Sequence, residues 1–303
     1  MQKKTEKIAE TLFFVFGSLA VVSVVAITVY MFIKGTPALL KVGVADLLFG
    51  TEWKPTASNP SYGIFYVIMS SLVGTFFAVL LGVPVGILTA VFLTDFTDGS
   101  RTGRKVSKIL YSAVELLAAI PSVIYGLIGM MVLNPFMYKL EKRIFAGDYN
   151  HQFTGGSNLL SAIIVLAIMI LPTVINISVS SIRSVPGSLR SASLALGASK
   201  IQTIFKVVLP AAKSGIMTGV ILGIGRAIGE AMAINMVAGG AVNIPLPFNS
   251  VKFLTTQLVS EMSYSSGIHR QVLFTVGLVL YIFIVVINLL LTILKRKGEN
   301  VNG

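Results

Sequence analysis

The sequence predicts an all-α, polytopic membrane protein with six transmembrane helices. Three observations carry that reading. Only 12% of the 303 residues are charged and 54% are hydrophobic, about half the charge that a soluble domain needs to coat its surface. The mean hydropathy is +0.86. The apolar residues also come in runs of roughly 20 or more, the length that crosses a bilayer. Those runs exclude the two soluble domains that chain length alone would allow.

Six stretches qualify as spans, at about 10–33, 65–94, 107–133, 158–182, 214–240 and 271–294. Lys3, Lys4 and Lys7 before the first resemble the basic start of a signal peptide. The run from Leu12 to Ile33 is too long for that, and Lys34-Gly35-Thr36-Pro37 is a poor cleavage site, so the first span is read as retained. In the second, Gly82-Val83-Pro84 predicts a kink. Pro121 and Pro172 fall inside the third and fourth, where neighbouring helices can satisfy the carbonyls that proline frees.

Six spans put both termini on one side. The terminal segments and the second and fourth loops carry fifteen Lys/Arg, against eight on the other side. The excess predicts cytoplasmic termini and accounts for the net charge of +12 without nucleic acid as a partner. The chain has no cysteine, hence no disulfide or thiolate site. His151 and His269 lie far apart without ligand spacing and read as ordinary loop residues, so no metal is expected. No Gly-Lys dipeptide occurs, so no phosphate-binding P-loop of the Walker type can form. ATP hydrolysis would have to come from another chain, and this one is not expected to be an enzyme. The first outer loop holds Trp53-Lys54-Pro55; its Trp53, the only tryptophan, is either an interfacial anchor or a structural piece of that loop.

The fourth loop, from Arg183 to Pro210, is the most informative. Two short helical patterns flank Gly197, where the chain can turn through a left-handed conformation. Leu189, Ala192 and Leu196, then Ile201, Ile204 and Phe205, form apolar stripes at helical spacing. Such a hairpin suits a groove on another protein; the alternative is a hairpin lying on the lipid surface. The segment resembles the coupling loop of type I ABC importer permeases, whose pattern is Glu-Ala-Ala, three residues, Gly, nine residues, Ile, one residue, Leu-Pro. Ser191-Ala192-Ser193, Gly197, Val207 and Leu209-Pro210 occupy those positions, with Ser191 departing from the glutamate. Trp53-Lys54-Pro55, the stretch from Glu115 through Pro121 to Gly126, and Gly225-Arg226-Ala227-Ile228-Gly229-Glu230 further resemble the C-type permeases of phosphate-specific (Pst) systems.

The resemblance implies the type I ABC importer permease fold in the bacterial cytoplasmic membrane, and import of inorganic phosphate. It implies a heterodimer with a sister A-type permease, two copies of a P-loop ATPase that hold ATP and Mg, and an extracytoplasmic phosphate-binding protein. No cofactor is expected in this chain. It would divide into residues 1–62, the first helix and first outer loop, and 63–303, a core of five helices with the coupling loop at about 184–213.

Arg226 and Glu230 fall inside the expected fifth span, where an ionised group costs a few kcal/mol. Gly215, Gly219, Gly223, Arg226 and Glu230 lie within an arc of about 80° on an ideal helix, and glycines at that spacing let helices approach closely. The pair either neutralises itself across one helical turn, in the less favourable Arg-before-Glu order, or lines a pathway where the guanidinium fork meets phosphate oxygens. The resemblance, in which these two residues are implicated in transport, supports the pathway. Glu115 either faces the same pathway or snorkels at the cytoplasmic end of its helix. Asn176 and Asn235 are weaker candidates, suited to interhelical hydrogen bonds. The competing functions are an importer of another oxyanion (molybdate, sulfate or phosphonate), the sister A-type subunit, and an ion-coupled secondary transporter, which would need no coupling loop.

Overall fold

Residues 2–97 and 101–300 are described by a computed structural model; the side chains at 2–5, 8, 294 and 296–300 are not among those described. Lys3, Lys4, Arg296 and Lys297, four of the basic residues behind the expected orientation, therefore lie outside the described side chains.

The first span is a single helix, α1 (Gln2–Val42), that continues well past Ile33 and through Pro37. A short α2 (Val44–Phe49) and a two-residue antiparallel ribbon, β1 (Trp53–Lys54) and β2 (Ser61–Tyr62), follow, with Trp53 paired to Tyr62. The second span, α3 (Phe65–Val91), runs unbroken through Pro84 and ends in a π-helical turn at Phe92–Phe96.

The third span differs from expectation. Instead of one helix over 107–133 there is an amphipathic α4 (Arg101–Ala119), a break at Ile120-Pro121, and a run of α5 (Ser122–Ile128), a π turn at Gly129–Leu133 and α6 (Asn134–Ile144). The apolar, crossing stretch is Ser122–Ile144. Pro121 is the cause. It has no N–H for the Leu117 carbonyl one turn back, and that carbonyl instead accepts the Tyr125 hydroxyl at 2.7 Å. α4 itself carries Arg101, Arg104, Lys105, Lys108 and Glu115, so its apolar residues make a stripe rather than a span.

The fourth span, α7 (Leu159–Arg183), starts at an Asn158 cap whose side-chain oxygen accepts the Ser161 N–H at 3.0 Å. Short helices α8 (Gly187–Ala195) and α9 (Lys200–Thr203) form the hairpin, and α9 continues through a π turn at Ile204–Val208 into α10 (Leu209–Gly229). The helical run that holds the fifth span is thus Lys200–Gly229, ending at Gly229 rather than at about 240. The chain beyond it folds into α11 (Met232–Val237), α12 (Leu254–Glu261) and α13 (Gly267–Asn300), the last holding the sixth span.

Among the described residues six helical runs are long and apolar enough to cross a membrane. α7 is the hub: two-thirds of its apolar window is buried by protein, whereas none of that of the first span is. α3 and α10 flank α7. Along α10, a Cβ added at Gly219 or Gly223 would sit 3.0 Å from Ile177 or 3.1 Å from Val174 on α7, so the glycine row does set a close helix approach. One buried cluster joins α3, α7, α11 and Tyr125 at mid-bundle, a second lies at the hairpin end, and a third at the opposite end between α1, α2, α12 and α13.

Candidate functional site

Arg226 and Glu230 do not share a helix. α10 stops at Gly229, and Glu230 takes an extended conformation (φ −72°, ψ 126°) before α11 begins. Gly225 and Gly229 weaken the last turn, and the Glu230 carboxylate serves the next helix, accepting the Ala233 N–H at 3.0 Å. The Glu230 carbonyl accepts the Thr255 hydroxyl at 2.7 Å, which ties the break to α12. Glu230 is 9% exposed, placed at the positive end of α11, while Arg226 occupies the negative end of α10. Each charge thus sits where a helix dipole favours it.

Arg226 forms no ion pair among the described residues. Its Nη1 donates to Thr173 Oγ1 of α7 at a long 3.4 Å. A half-buried guanidinium with five donor N–H groups is therefore left with most of them without an acceptor among the described residues. The self-neutralising pair across one turn is absent from this fold, because the helix it needs ends between the two residues.

Glu115 is exposed on α4, outside the crossing stretch Ser122–Ile144. Asn235 is exposed, and Asn176 has a buried Oδ1 with no partner among the described residues.

In the hairpin, Gly197 has φ +83°. The Ala198 N–H reaches back to the Ser193 carbonyl at 3.2 Å and the Gly197 N–H to Leu194 at 3.0 Å, the pair of bonds that closes a Schellman C-cap. Ser199 and Gln202 then form a capping box at the start of α9. Ser193 Oγ and Thr203 Oγ1 are 2.9 Å apart across the hairpin. Ile204 is buried in the hairpin-end cluster, so the expected stripe splits. Leu194, Leu196, Ile201 and Phe205 remain on the surface, with Leu196 89% exposed. Ser191, Ala192 and Pro210 are exposed, and Val207 and Leu209 half-buried.

Sequence reasoning missed how the hairpin is held. Arg190 is ion-paired to the buried Asp95 in the π turn after α3, and its other nitrogen donates to the Ile182 carbonyl of α7 at 3.1 Å. It also misread the histidines. At the opposite end of the bundle Glu261, 5% exposed, is bonded to Lys252, accepts Trp53 Nε1 at 3.1 and 3.2 Å and Gln257 Nε2 at 3.0 Å, and lies 2.8 Å from His269 Nε2. Glu141, 0% exposed, is bonded to the Thr154 N–H and hydroxyl and lies 3.0 Å from His151. A buried carboxylate needs donors, and each histidine supplies one instead of sitting free in a loop. Trp53 is accordingly structural, locking the loop between the first two spans to α12.

Similarity to known proteins agrees with this architecture. The profile of the binding-protein-dependent transport system inner membrane component family matches residues 82–298. A protein described as "Probable ABC transporter permease protein YqgH", from Bacillus subtilis (strain 168), is 39% identical over 91% of this chain and 86% of its own length. The phosphate transport system permease protein PstC of Pasteurella multocida (strain Pm70) is 31% identical over 85% of this chain and 82% of its own. Among solved structures, a bacterial alginate ABC transporter in complex with an alginate-bound periplasmic protein shares the fold, with a TM-score of 0.65, 15% identity and 94% of both chains covered. The methionine ABC transporter MetNI, in an inward-facing form, does so with a TM-score of 0.55, 21% identity, and 78% of this chain and 94% of that one covered. Six apolar helices, the α7-centred packing and these matches together make this chain a multi-pass member of the family of inner membrane components of binding-protein-dependent transport systems.

Proposed function

We propose that the chain is one of two membrane subunits of an ATP-driven phosphate importer in the bacterial cytoplasmic membrane, and that phosphate passes by Arg226. The observation that carries this reading is the half-buried Arg226 guanidinium, without an ion-pair partner among the described residues and set beside a broken helix. It occurs in a chain that relatives named as phosphate transport permeases match over most of its length. Half-helix ends facing a polar path are a recurring way to handle ions at mid-membrane. The planar fork suits two phosphate oxygens at once. Glu230, held nearby as a helix cap, adds the negative charge that keeps an anion from being trapped, since a pathway must release what it binds. Exposed Glu115 belongs at the cytoplasmic mouth of that path rather than inside it.

The basic hairpin end faces the cytoplasm in this reading, in keeping with its excess of Lys/Arg. Leu194, Leu196, Ile201 and Phe205 then present an apolar tip to a groove on a separate P-loop ATPase. Two copies of that ATPase hold ATP and Mg; this chain holds no cofactor. Ser191-Ala192-Ser193, Gly197, Val207 and Leu209-Pro210 form the coupling loop. The Arg190–Asp95 pair gives movement of the hairpin a rigid route into α3 and α7. A sister A-type permease completes the pathway, and an extracytoplasmic phosphate-binding protein delivers the substrate to the end where Trp53 and Glu261 lock the outer segments.

The test is uptake by the complete complex in proteoliposomes, with labelled phosphate, sulfate and molybdate compared. The expected result is uptake of phosphate alone, dependent on ATP and on the binding protein. Uptake of sulfate or molybdate without phosphate, or phosphate uptake driven by an ion gradient without ATP, would overturn the reading.

A further inference from the structure

Two uncharged helical runs end on basic residues at the same level. α1 has no charged residue from Thr11 to Ile33, and α13 has none from Gln271 to Leu294. Each run is about 35 Å long at 1.5 Å per residue, enough to cross the hydrocarbon core. The two helices pack antiparallel: Thr28 meets Tyr281 at 2.8 Å, the Thr275 hydroxyl donates to the Gly35 carbonyl at 2.6 Å, and Lys41 reaches Gln271 at 3.3 Å. Lys34, just past the first run, and Arg270, just before the second, therefore lie together at one hydrocarbon boundary.

Both line a single cleft of about 550 Å³ between α1 and α13, floored by Tyr30 and Phe274, whose rings meet edge to face at 5.9 Å. No acidic residue lines the cleft, and neither cation has an ion-pair partner among the described residues. Tyr30 and Ile33 also border a second groove of about 530 Å³ that runs down the Val21–Val29 face of α1 toward mid-membrane and, Tyr30 apart, is lined by aliphatic side chains. A dibasic cleft opening into an apolar groove at the membrane boundary matches one kind of molecule, with an anionic head and a hydrocarbon tail.

We propose that this surface is a binding site for an anionic phospholipid, with the headgroup phosphate between Lys34 and Arg270 and an acyl chain along the valine groove of α1. Basic pockets between transmembrane helices hold such headgroups, and interfacial aromatic rings suit the glycerol level. A free phosphate ion would use the two cations but not the groove, which is why lipid is the occupant. The site is remote in sequence from Arg226 and the hairpin, and it stands for either orientation of the chain.

The test is native mass spectrometry of the assembled transporter, supplied with equimolar phosphatidylglycerol and phosphatidylcholine. The wild type should retain phosphatidylglycerol preferentially. The preference should fall about fivefold in Lys34→Gln or Arg270→Gln and about 30-fold in the double variant. Both side chains are exposed, so the fold should not suffer. Lys139→Gln/Lys142→Gln, which removes two exposed cations from α6, should leave the preference unchanged, as should millimolar inorganic phosphate. Wild-type preference in the Lys34/Arg270 double variant, an equal loss in the α6 control, or displacement of the lipid by inorganic phosphate would each overturn the proposal.

Discussion

Replacing Gly197 tests the hairpin through its backbone alone. Its φ of +83° lies in the left-handed region, and a Cβ built there would meet no atom within 4 Å. Any penalty is therefore conformational and not a clash. An alanine in that region costs roughly 1 kcal/mol and a β-branched valine about 2 kcal/mol or more. Asparagine, which tolerates it, costs little. A penalty of 2 kcal/mol is about a 30-fold shift against the closed turn, and an open turn loses the Ala198–Ser193 and Gly197–Leu194 bonds. Transport-linked ATP hydrolysis, normalised to assembled complex, should fall in the order Gly, Asn, Ala, Val. That order is informative because asparagine is larger than alanine yet predicted to be milder. Equal coupling across the series, or a decline that follows side-chain size, would refute the reasoning.

Asp95→Asn removes the charge that holds Arg190. With Asp95 buried and Arg190 about a quarter exposed, the loss should be about 2 kcal/mol, below that of a fully buried pair, and it should appear as ATP hydrolysis without matching uptake; unchanged coupling would remove Asp95 from the route. Glu261→Gln leaves the buried Lys252 without its counter-charge, and should destabilise the Trp53 loop by about 3 kcal/mol, seen as faster proteolysis between Glu52 and Tyr62. Trp53→Phe should cost about 2 kcal/mol through the lost hydrogen bond to a charged acceptor, and a loop as resistant as wild type in both variants would contradict the clamp. Because the chain has no cysteine, single cysteines report sidedness cleanly. Those at the exposed Ser58, Gln152 and Ser266 should react with an impermeant reagent added outside, and those at Ser188 and Ser191 should not; the reverse pattern would invert the proposed orientation.

Four of the six spans were legible because their helices run on through the prolines they contain, as α7 does through Pro172, so each apolar run and its helix coincide. The third and fifth were displaced by single residues whose effect is local but absolute. Pro121 cuts α4 from α5, and Gly229-Glu230 ends α10, although the apolar run continues on both sides. The turn at Gly197 was readable because a left-handed C-cap has a residue signature. The Arg190–Asp95 and Glu261 contacts were not, since they join residues far apart in sequence that no periodicity relates. The same limit hid the histidines, whose partners are fixed only by tertiary packing. For Arg226 and Glu230 the sequence located the charges and the packed face of α10, whereas the helix break that separates them became visible only in the fold.

Whether Arg226 meets phosphate in passage is decided by phosphate uptake, normalised to assembled complex, in Arg226 and Glu230 variants. The Arg226→Gln/Glu230→Gln double variant removes both charges together and keeps a side-chain carbonyl to cap α11, so residues with a merely structural role should tolerate it. Arg226→Lys keeps the charge but loses the planar fork. Both variants should assemble normally, the double variant should move almost no phosphate, and Arg226→Lys should be impaired at least about tenfold, the loss of one charge-assisted hydrogen bond. Near-normal uptake by the double variant would mean that phosphate passes without Arg226, and would leave this residue as part of the helix interface.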